Sequence, residues 1–283
     1  MALPQPTDGF EWAQGPGGAS LVCRALEPLA PHLYTTRAWI LGGADDSQSV
    51  AGWSQVAERV GVDHAHLVRV HQVHGASVLV RRAGDPSNVA DRPPADIILS
   101  NDPALALAVQ TADCVPLLIA DRRTGAVAAA HAGWRGLAAR VPQAAVEALR
   151  VEFGSRASDL VVAAGPSIGA CCYEVGADVR AAFASAGFAG AELARWFLGD
   201  PNQAVANPSM RGLSPVRREN HWFFDGWAAT RDQLEAIGVG PDQVHAAGLC
   251  TASHPDVLCS YRRDGKSAGR IAGVIKAAGE ADR

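Results

Sequence analysis

Apolar residues along this chain follow two patterns, one typical of β-strands and one typical of helices, and segments with the two patterns alternate. Short apolar or alternating runs are typical of β-strands, and apolar residues every three or four positions are typical of helices. The predicted strands span residues 21–26, 32–40, 67–73, 77–81, 96–100, 160–164 and 222–224, and two further apolar segments, 244–247 and 271–278, follow near the end of the chain. The predicted helices span residues 47–60, 133–149, 178–186, 191–198 and 226–237. This interleaving predicts an α/β fold, a single domain over residues 21–278 with mixed β-sheets and helices.

The longest apolar stretch predicts a β-hairpin. Two apolar runs, 105–121 and 126–131, are joined by a polar segment that ends at Gly125, which is free to adopt a positive φ. With Arg122 and Arg123 at the tip of the loop, Cys114 faces His131; a four-residue loop shifts the pairing by two and leaves the two side chains diagonal on one face. Because such Cβ atoms lie ~5 to ~7 Å apart, a thiolate and an imidazole can share a metal ion there.

A third ligand is predicted in the sequence HQVHG. His71 and His74 are three residues apart at the end of a predicted strand, so their side chains point to opposite faces and at most one joins the hairpin pair. We favour His74, because Gly75 follows it and permits a close approach or a sharp turn. Two imidazoles and one thiol leave the fourth position of Zn²⁺ open, which is typical of a catalytic site. The residues alone leave open a metal-free cysteine hydrolase, with Cys114 as nucleophile and His131 as its base.

The ends of the chain and its composition exclude several classes of protein. Residues 1–20 are rich in Gly, Pro and Gln and are predicted to be a loose lead-in, and residues 279–283 a solvated tail. The first residues lack the features of a signal peptide, and no apolar run approaches the ~18 residues of a membrane span. A net charge of −4 provides no field for nucleic acid or an anionic membrane. Six cysteines are too few for a disulfide scaffold of 283 residues, so we expect a cytoplasmic protein.

Two segments carry groups suited to binding an anion. The glycine-punctuated loop GPSIGACCYEVG begins at Gly165 after a predicted strand, and its backbone N–H groups could surround phosphate. Arg135 in HAGWRG and Arg262 in SYRRDGKSAGR add positive charge in glycine-rich surroundings. The alternatives are a packing pair of Trp134 with Arg135 and a solvated turn around Arg262. Asp113, in the sequence TADC, lies within an otherwise apolar run and must be paired if it is buried.

Seven motifs, in order, carry a resemblance to a known family: QVHG, TADCVPLLIAD, HAGWRG, GPSIGACCYEVG, FDGWAATRDQL, LCT and SYRRDGKSAGR. They span most of residues 67–275 and resemble the laccase-domain family, once called multicopper polyphenol oxidases and now described as zinc-dependent purine nucleoside phosphorylases. The resemblance implies a single-domain α/β/β/α fold and one zinc ion bound by His74, Cys114 and His131. It also implies phosphorolysis of adenosine, inosine, guanosine and methylthioadenosine, with deamination of adenosine as a second activity.

On this interpretation the partners are purine nucleosides and phosphate. Cys114 and His131 hold the zinc ion, Asp113 or Glu174 transfers protons, and Arg135, Arg262 and the loop at Gly165 bind phosphate. The zinc-deaminase signature is absent, so deamination would use other residues. Near the N-terminus the chain departs from the family, because residues 38–53 lack its usual Asn-containing segment.

Two other functions remain as alternatives. A copper-dependent polyphenol oxidase needs several paired histidine motifs, which nine scattered histidines do not supply. A non-catalytic binding protein would have an inactive metal site.

Overall fold

The computed structural model describes residues 3–42, 49–85, 92–200 and 218–279. The strands are β1 (Phe10–Gly15), β2 (Gly18–Cys23), β3 (His32–Thr35), β4 (Leu67–Val68), β5 (Val78–Arg81), β6 (Ile97–Ser100), β7 (Ala106–Thr111), β8 (Val115–Asp121), β9 (Val127–Ala132), β10 (Leu160–Ala164), β11 (Glu174–Gly176), β12 (Phe197–Leu198), β13 (His221–Phe224), β14 (Val244–Ala246) and β15 (Ile271–Lys276). The helices are α1 (Val50–Arg59), α2 (Trp134–Ala138), α3 (Val141–Phe153), α4 (Ala177–Ser185), α5 (Gly190–Trp196), α6 (Gly226–Glu235) and α7 (Tyr261–Asp264). In these ranges no helix is long and apolar enough to cross a membrane.

Two six-stranded mixed sheets form the centre of the fold. The first has the order β1-β2-β3-β15-β7-β4 and the second the order β14-β10-β8-β9-β6-β5, while β11-β13-β12 form a small third sheet. Most neighbours are antiparallel, but β4 pairs with β7, β5 with β6 and β10 with β14 in parallel. The mixed sheets of the predicted α/β fold are therefore confirmed.

Three apolar clusters show how the layers stack. Between the two sheets, side chains such as Leu107 of the first and Leu118 of the second share one buried cluster. The outer face of the first sheet packs on Trp53 of α1, and the outer face of the second packs on Val141 and Leu149 of α3. The order is helix, sheet, sheet, helix, so the predicted α/β/β/α layering is confirmed.

The apolar run 105–121 is not one strand, as we expected, but two strands in different sheets. It breaks at residues 112–114, where Asp113 has a φ of 97°. The Asp113 carboxylate stabilises this bend, because it accepts hydrogen bonds from the Thr251 hydroxyl and the Arg262 backbone N–H, both at 2.6 Å. Asp113 is half-buried and paired through both oxygens, and the chain crosses from β7 in the first sheet to β8 in the second at this point.

The hairpin of β8 and β9 has the four-residue loop. Pro116 pairs with His131 and Ala120 with Val127, so Cys114 lies beyond the first paired residue of β8. Gly125 has a φ of 75°, as predicted for the end of the loop.

The prediction of one helix over residues 133–149 is wrong, because α2 and α3 are separate. Arg140 between them has a φ of 62°. Its guanidinium lies 3.9 Å from the centroid of the Phe188 ring and donates a hydrogen bond of 3.1 Å to the carbonyl of Ala186. These contacts stabilise the backbone of Arg140 at the break between α2 and α3.

The prediction of a loose lead-in over residues 1–20 is also wrong. β1 and β2 form an antiparallel hairpin at the edge of the first sheet, with Phe10 and Leu21 buried. The Gly- and Pro-rich sequence serves a tight turn, since Gly18 has a φ of 111° and a Cβ at Gly17 would lie 2.4 Å from the Trp39 ring. Of the predicted tail, residues 280–283 lie outside the described residues.

Candidate metal centre and active site

Three segments that are distant in sequence bring His74, Cys114 and His131 together. His74 lies in the turn after β4, Cys114 in the bend between β7 and β8, and His131 in β9. Their ligand atoms lie within 4.8 Å of one another, so the trio could hold a metal ion. The two imidazole rings meet edge to face, with their centroids 4.8 Å apart. His74 reaches the cluster from a left-handed backbone position with a φ of 60°, not from an extended strand.

Asp96 fixes two members of the trio, and the sequence analysis did not identify it. Its side chain is fully buried, and its Oδ1 lies 2.8 Å from Nδ1 of His131, which leaves Nε2 of that ring for the cluster. The same carboxylate accepts hydrogen bonds from the backbone N–H groups of His74 at 3.0 Å and Gly75 at 2.7 Å, and so holds the turn that presents His74. A carboxylate on the far nitrogen of a ligating histidine is a common support in metal sites. The only signal in the sequence is a single acidic residue before the apolar run 97–100.

The charges of Cys114 and His131 support each other. Burial favours the neutral thiol, but the positive charge and hydrogen bond of His131, with a smaller effect of His74, lower the pKa of Cys114. Burial likewise disfavours the imidazolium, but the Cys114 thiolate and Asp96 raise the pKa of His131. Both shifts favour the thiolate of Cys114, and His131 would have to release its proton to bind a metal ion. Because the thiolate is the form of cysteine that binds metals and acts as a nucleophile, the pair suits either chemistry.

Gly133 makes room for the trio. A Cβ at this position would lie 2.8 Å from Sγ of Cys114 and 3.1 Å from Cδ2 of His74. Gly133 also precedes α2, so the chain turns from β9 into the helix directly beside the two ligands. Any other residue here would displace one of the two side chains.

A cavity of about 940 Å³ opens beside the trio. Asp113 and four arginines, Arg92, Arg135, Arg262 and Arg270, line it together with the rings of Trp134, Tyr173 and Tyr261. Its size lies at the upper end of the range for small-molecule sites, about 300–1,000 Å³. Positive charge suits an anion and aromatic walls suit a planar ring. Sequence reasoning did not single out Arg92, Tyr173 or Tyr261, whereas Arg270 ends SYRRDGKSAGR, the segment considered above as an anion site.

Arg135 and Arg262 both reach this cavity. The Arg135 guanidinium lies 4.2 Å from the centroid of the Trp134 ring. The Arg262 guanidinium lies 5.1 Å from the centroid of the Tyr173 ring and donates a hydrogen bond of 2.7 Å to the Glu174 carbonyl. Arg262 belongs to α7, so its segment is a short helix instead of the solvated turn considered above.

Gly165 and Glu174 do not line the cavity. Gly165 is buried in the core, where a Cβ would lie 2.3 Å from the Tyr34 ring, and its N–H donates to the Pro116 carbonyl. The Glu174 carboxylate forms an ion pair with Arg218. Of the glycine-punctuated loop, Tyr173 borders the cavity.

Comparisons with known proteins identify the family and agree with this fold. Residues 32–278 match the family model described as multi-copper polyphenol oxidoreductase laccase. A Bacteroides thetaiotaomicron protein named purine nucleoside phosphorylase is 36% identical over 178 residues, which cover 62% of this chain and 58% of that protein. A Deinococcus radiodurans protein of the same name is 33% identical over 264 residues, 89% of this chain and 91% of that protein. The crystal structure of the Bacillus licheniformis hypothetical protein YfiH has the same fold, with a TM-score of 0.78 at 22% identity, over 96% of this chain and 100% of that one.

Proposed function

Because the chain belongs to the multi-copper polyphenol oxidoreductase laccase family, we propose that it is a zinc-dependent purine nucleoside phosphorylase. The names of its relatives in Bacteroides thetaiotaomicron and Deinococcus radiodurans support the reaction. One observation carries the proposal for this chain: His74, Cys114 and His131 converge on the wall of a cavity that four arginines and three aromatic rings also line.

The ligand set favours Zn²⁺ over copper. Two imidazoles and one thiolate leave one position for water or substrate, which is typical of catalytic zinc. The same ligands occur in blue-copper electron-transfer sites. Those sites do not need room for a substrate, whereas here a cavity of about 940 Å³ borders the three ligands. When bound, Zn²⁺ supplies a Lewis acid at the open position.

The residues of the cavity can position both substrates. In phosphorolysis a phosphate oxygen forms a bond to C1′ of the ribose, and the glycosidic C–N bond breaks with its electron pair moving to the base. Arg135 and Arg262 bind the phosphate in this proposal, because arginine pairs with phosphate through two parallel N–H groups. Trp134, Tyr173 and Tyr261 line the cavity and offer ring faces for the purine.

Asp113 and Glu174 have different prospects as proton-transfer groups. Asp113 borders the cavity, but both of its oxygens already accept hydrogen bonds, from Thr251 and from the Arg262 backbone. Glu174 is engaged by Arg218 away from the cavity wall. We therefore assign Asp113 a positioning role, and we assign neither residue the transfer of a proton.

The test combines metal analysis with product analysis. Purified protein is incubated with inosine or adenosine, with and without phosphate, and the bases and nucleosides are separated by HPLC. We expect stoichiometric zinc and phosphate-dependent release of hypoxanthine or adenine. Inosine formed from adenosine would reveal deamination as a second activity at the same site.

Variants separate the proposal from its rivals. Cys114→Ser should bind one zinc ion fewer than the wild type and lose more than about 100-fold of the activity, since even an outer partner of a metal ligand contributes 10–100-fold. Cys23→Ser, a buried cysteine of β2, is the matched control and should retain the wild-type zinc content and activity. If Cys114→Ser keeps the wild-type zinc content and turnover, the proposal is wrong. Activity that survives a chelator and is lost on alkylation of Cys114 would indicate the cysteine hydrolase.

A further inference from the structure

A second cluster of potential metal ligands lies apart from the first and contains only cysteines. The sulfur atoms of Cys171, Cys172 and Cys250 lie within 4.8 Å of one another. Cys171 and Cys250 are each 1% exposed, and Cys172 is half-buried. The proposed chemistry uses none of these three thiols, and the resemblance assigns them no role, although they lie in two of its motifs, GPSIGACCYEVG and LCT.

Backbone hydrogen bonds fix the positions of the three cysteines. The backbone N–H of Cys172 donates a hydrogen bond of 2.9 Å to the Gly169 carbonyl and so closes a turn. Cys250, after β14, forms a parallel bridge with Ser167, whose N–H donates to the Leu249 carbonyl at 3.2 Å and whose carbonyl accepts from the Thr251 N–H at 3.0 Å. Cys250 lies 79 positions after Cys171 and 78 after Cys172 in the chain, yet the bridge places the sulfurs side by side. The fold, not a flexible side chain, therefore creates the cluster.

The three thiols are free in this structure and close enough to share a metal ion. With metal–sulfur bonds of about 2.3 Å, three thiolates around one ion lie about 4 Å apart, which is compatible with the limit of 4.8 Å here. Among the residues that the structure describes, no carboxylate belongs to the cluster, and thiolates select soft ions such as Zn²⁺ and Cu⁺ over Mg²⁺ or Ca²⁺.

Polar groups around the sulfurs can stabilise thiolates. The backbone N–H of Gly169 donates to Sγ of Cys250 at 3.3 Å. The Ser253 hydroxyl lies 3.2 Å from Sγ of Cys172 and 3.9 Å from Sγ of Cys171. Hydrogen bonds of this kind orient ligating sulfurs and tune bound metals.

We propose that Cys171, Cys172 and Cys250 form a second metal site, which binds a thiophilic ion, Zn²⁺ or Cu⁺, through three sulfurs. On binding, three S–H bonds are replaced by three metal–sulfur bonds and the protons pass to the buffer, so no oxidant is required. This proposal does not depend on the proposed phosphorylase activity.

The second site lies directly behind the wall of the cavity. Cys172 precedes Tyr173, which lines the cavity, and Cys250 precedes Thr251, whose hydroxyl binds the cavity residue Asp113 at 2.6 Å. An ion held by both segments links the 167–173 turn to the segment after β14 and so braces two parts of this wall. It lies outside the cavity itself, so its role is structural.

The test uses the full-length Cys114→Ser protein, in which the first site lacks its thiolate and the second is unchanged. The protein is loaded anaerobically with Zn²⁺ or with Cu⁺, desalted and analysed by inductively coupled plasma mass spectrometry. X-ray absorption at the metal edge then counts the sulfur neighbours. We expect one tightly bound ion with three sulfur neighbours, and competition between the two metals identifies the preferred one.

The wild type and a second variant complete the design. Wild-type protein should bind two ions per chain, Cys250→Ser one, and the Cys23→Ser control two. Folded Cys114→Ser protein that binds no ion, or an ion without sulfur neighbours, would overturn the proposal. So would intact-mass and peptide mapping that find a disulfide among the three cysteines in protein purified without reductant.

Discussion

The two groups of potential metal ligands have opposite surroundings. We call His74, Cys114 and His131 the open cluster, and Cys171, Cys172 and Cys250 the closed cluster. Cys114 has two imidazoles beside it and a cavity in front of it, and a buried carboxylate, Asp96, supports one of those imidazoles. Cys171, Cys172 and Cys250 have one another, a backbone N–H and a hydroxyl, and two of the three are fully enclosed. An ion at the first cluster would have access to substrate, whereas an ion at the second would not. The contrast therefore suggests chemistry at the first and bracing of the fold at the second.

The largest effect expected at the open cluster follows Gly133→Ala. The added Cβ would lie 2.8 Å from Sγ of Cys114, which must move, and 3.1 Å from Cδ2 of His74, which would be crowded. We expect metal affinity and activity to fall by about 100-fold, the upper range for disturbing the surroundings of a ligand. Zinc titration and the phosphorolysis assay measure this.

A matched control for this change is Gly9→Ala. A Cβ there would have ordinary contacts, the nearest at 3.5 Å from His245, and no positive φ is required. Gly9→Ala should leave zinc binding and activity unchanged. Equal losses in both variants would mean that the effect at Gly133 is a general loss of stability, and the comparison of the clusters would lose its steric basis.

Asp96→Asn should have the next largest effect. The amide cannot accept all the hydrogen bonds that the carboxylate accepts from His74, Gly75 and His131, and it removes the charge beside the imidazole. We expect zinc affinity at the open cluster to fall by about 10-fold or more. The closed cluster should keep its ion, and metal analysis of this variant would check that.

Asp121→Asn serves as the control for a buried carboxylate. Asp121 accepts backbone hydrogen bonds from Arg123 and Thr124 in the β8–β9 loop, far along the hairpin from the ligands. It should lower the melting temperature without changing zinc affinity. If both aspartate variants lose zinc equally, Asp96 has no special role in holding the ligands.

Much of this arrangement could be predicted from the sequence, for identifiable reasons. Two apolar runs and the turn chemistry at Gly125 predicted the β8–β9 hairpin, and the order of strands and helices predicted the α/β class. Two features escaped. Gln110, Thr111 and Asp113 interrupt the apolar run 105–121, but polar residues within such a run do not by themselves show that the chain turns from one sheet to the other there. Asp96 was missed because its partners lie 21 to 35 positions away, and sequence spacing carries no signal for such contacts.

The two ends of the glycine-punctuated loop illustrate the same limit. The pattern of glycines suggested that its backbone surrounds an anion. Position 165 instead requires glycine because the Tyr34 ring leaves no room for a Cβ. Tyr173, eight residues later, borders the cavity. A glycine needed for packing and a glycine needed for a ligand look alike in a single sequence.

Arg135→Ala should affect the phosphate substrate of the open cluster. The guanidinium lines the cavity and is held on the Trp134 ring at 4.2 Å. A hydrogen bond to a charged group contributes about 1.5–3 kcal/mol, so we expect KM for phosphate to rise by about 10-fold or more. The nucleoside KM and zinc content should change little, and Arg150→Ala, an exposed arginine of α3 paired with Glu147, is the control. A rise in nucleoside KM alone would assign Arg135 to the other substrate.

The smallest effect is expected at the closed cluster, from Ser253→Ala. The change removes the hydroxyl that lies 3.2 Å from Sγ of Cys172 but none of the three sulfurs. A neutral hydrogen bond contributes about 0.5–1.5 kcal/mol, so metal affinity at this cluster should fall only a few-fold. Competition with a chelator in the Cys114→Ser background measures that affinity without interference from the open cluster. Ser267→Ala, which removes an exposed hydroxyl bonded to the Asp264 carbonyl, is the control and should leave the affinity unchanged. A loss of the ion in Ser253→Ala as complete as in Cys250→Ser would make the hydroxyl a ligand in its own right, and the closed cluster would then be a four-coordinate site.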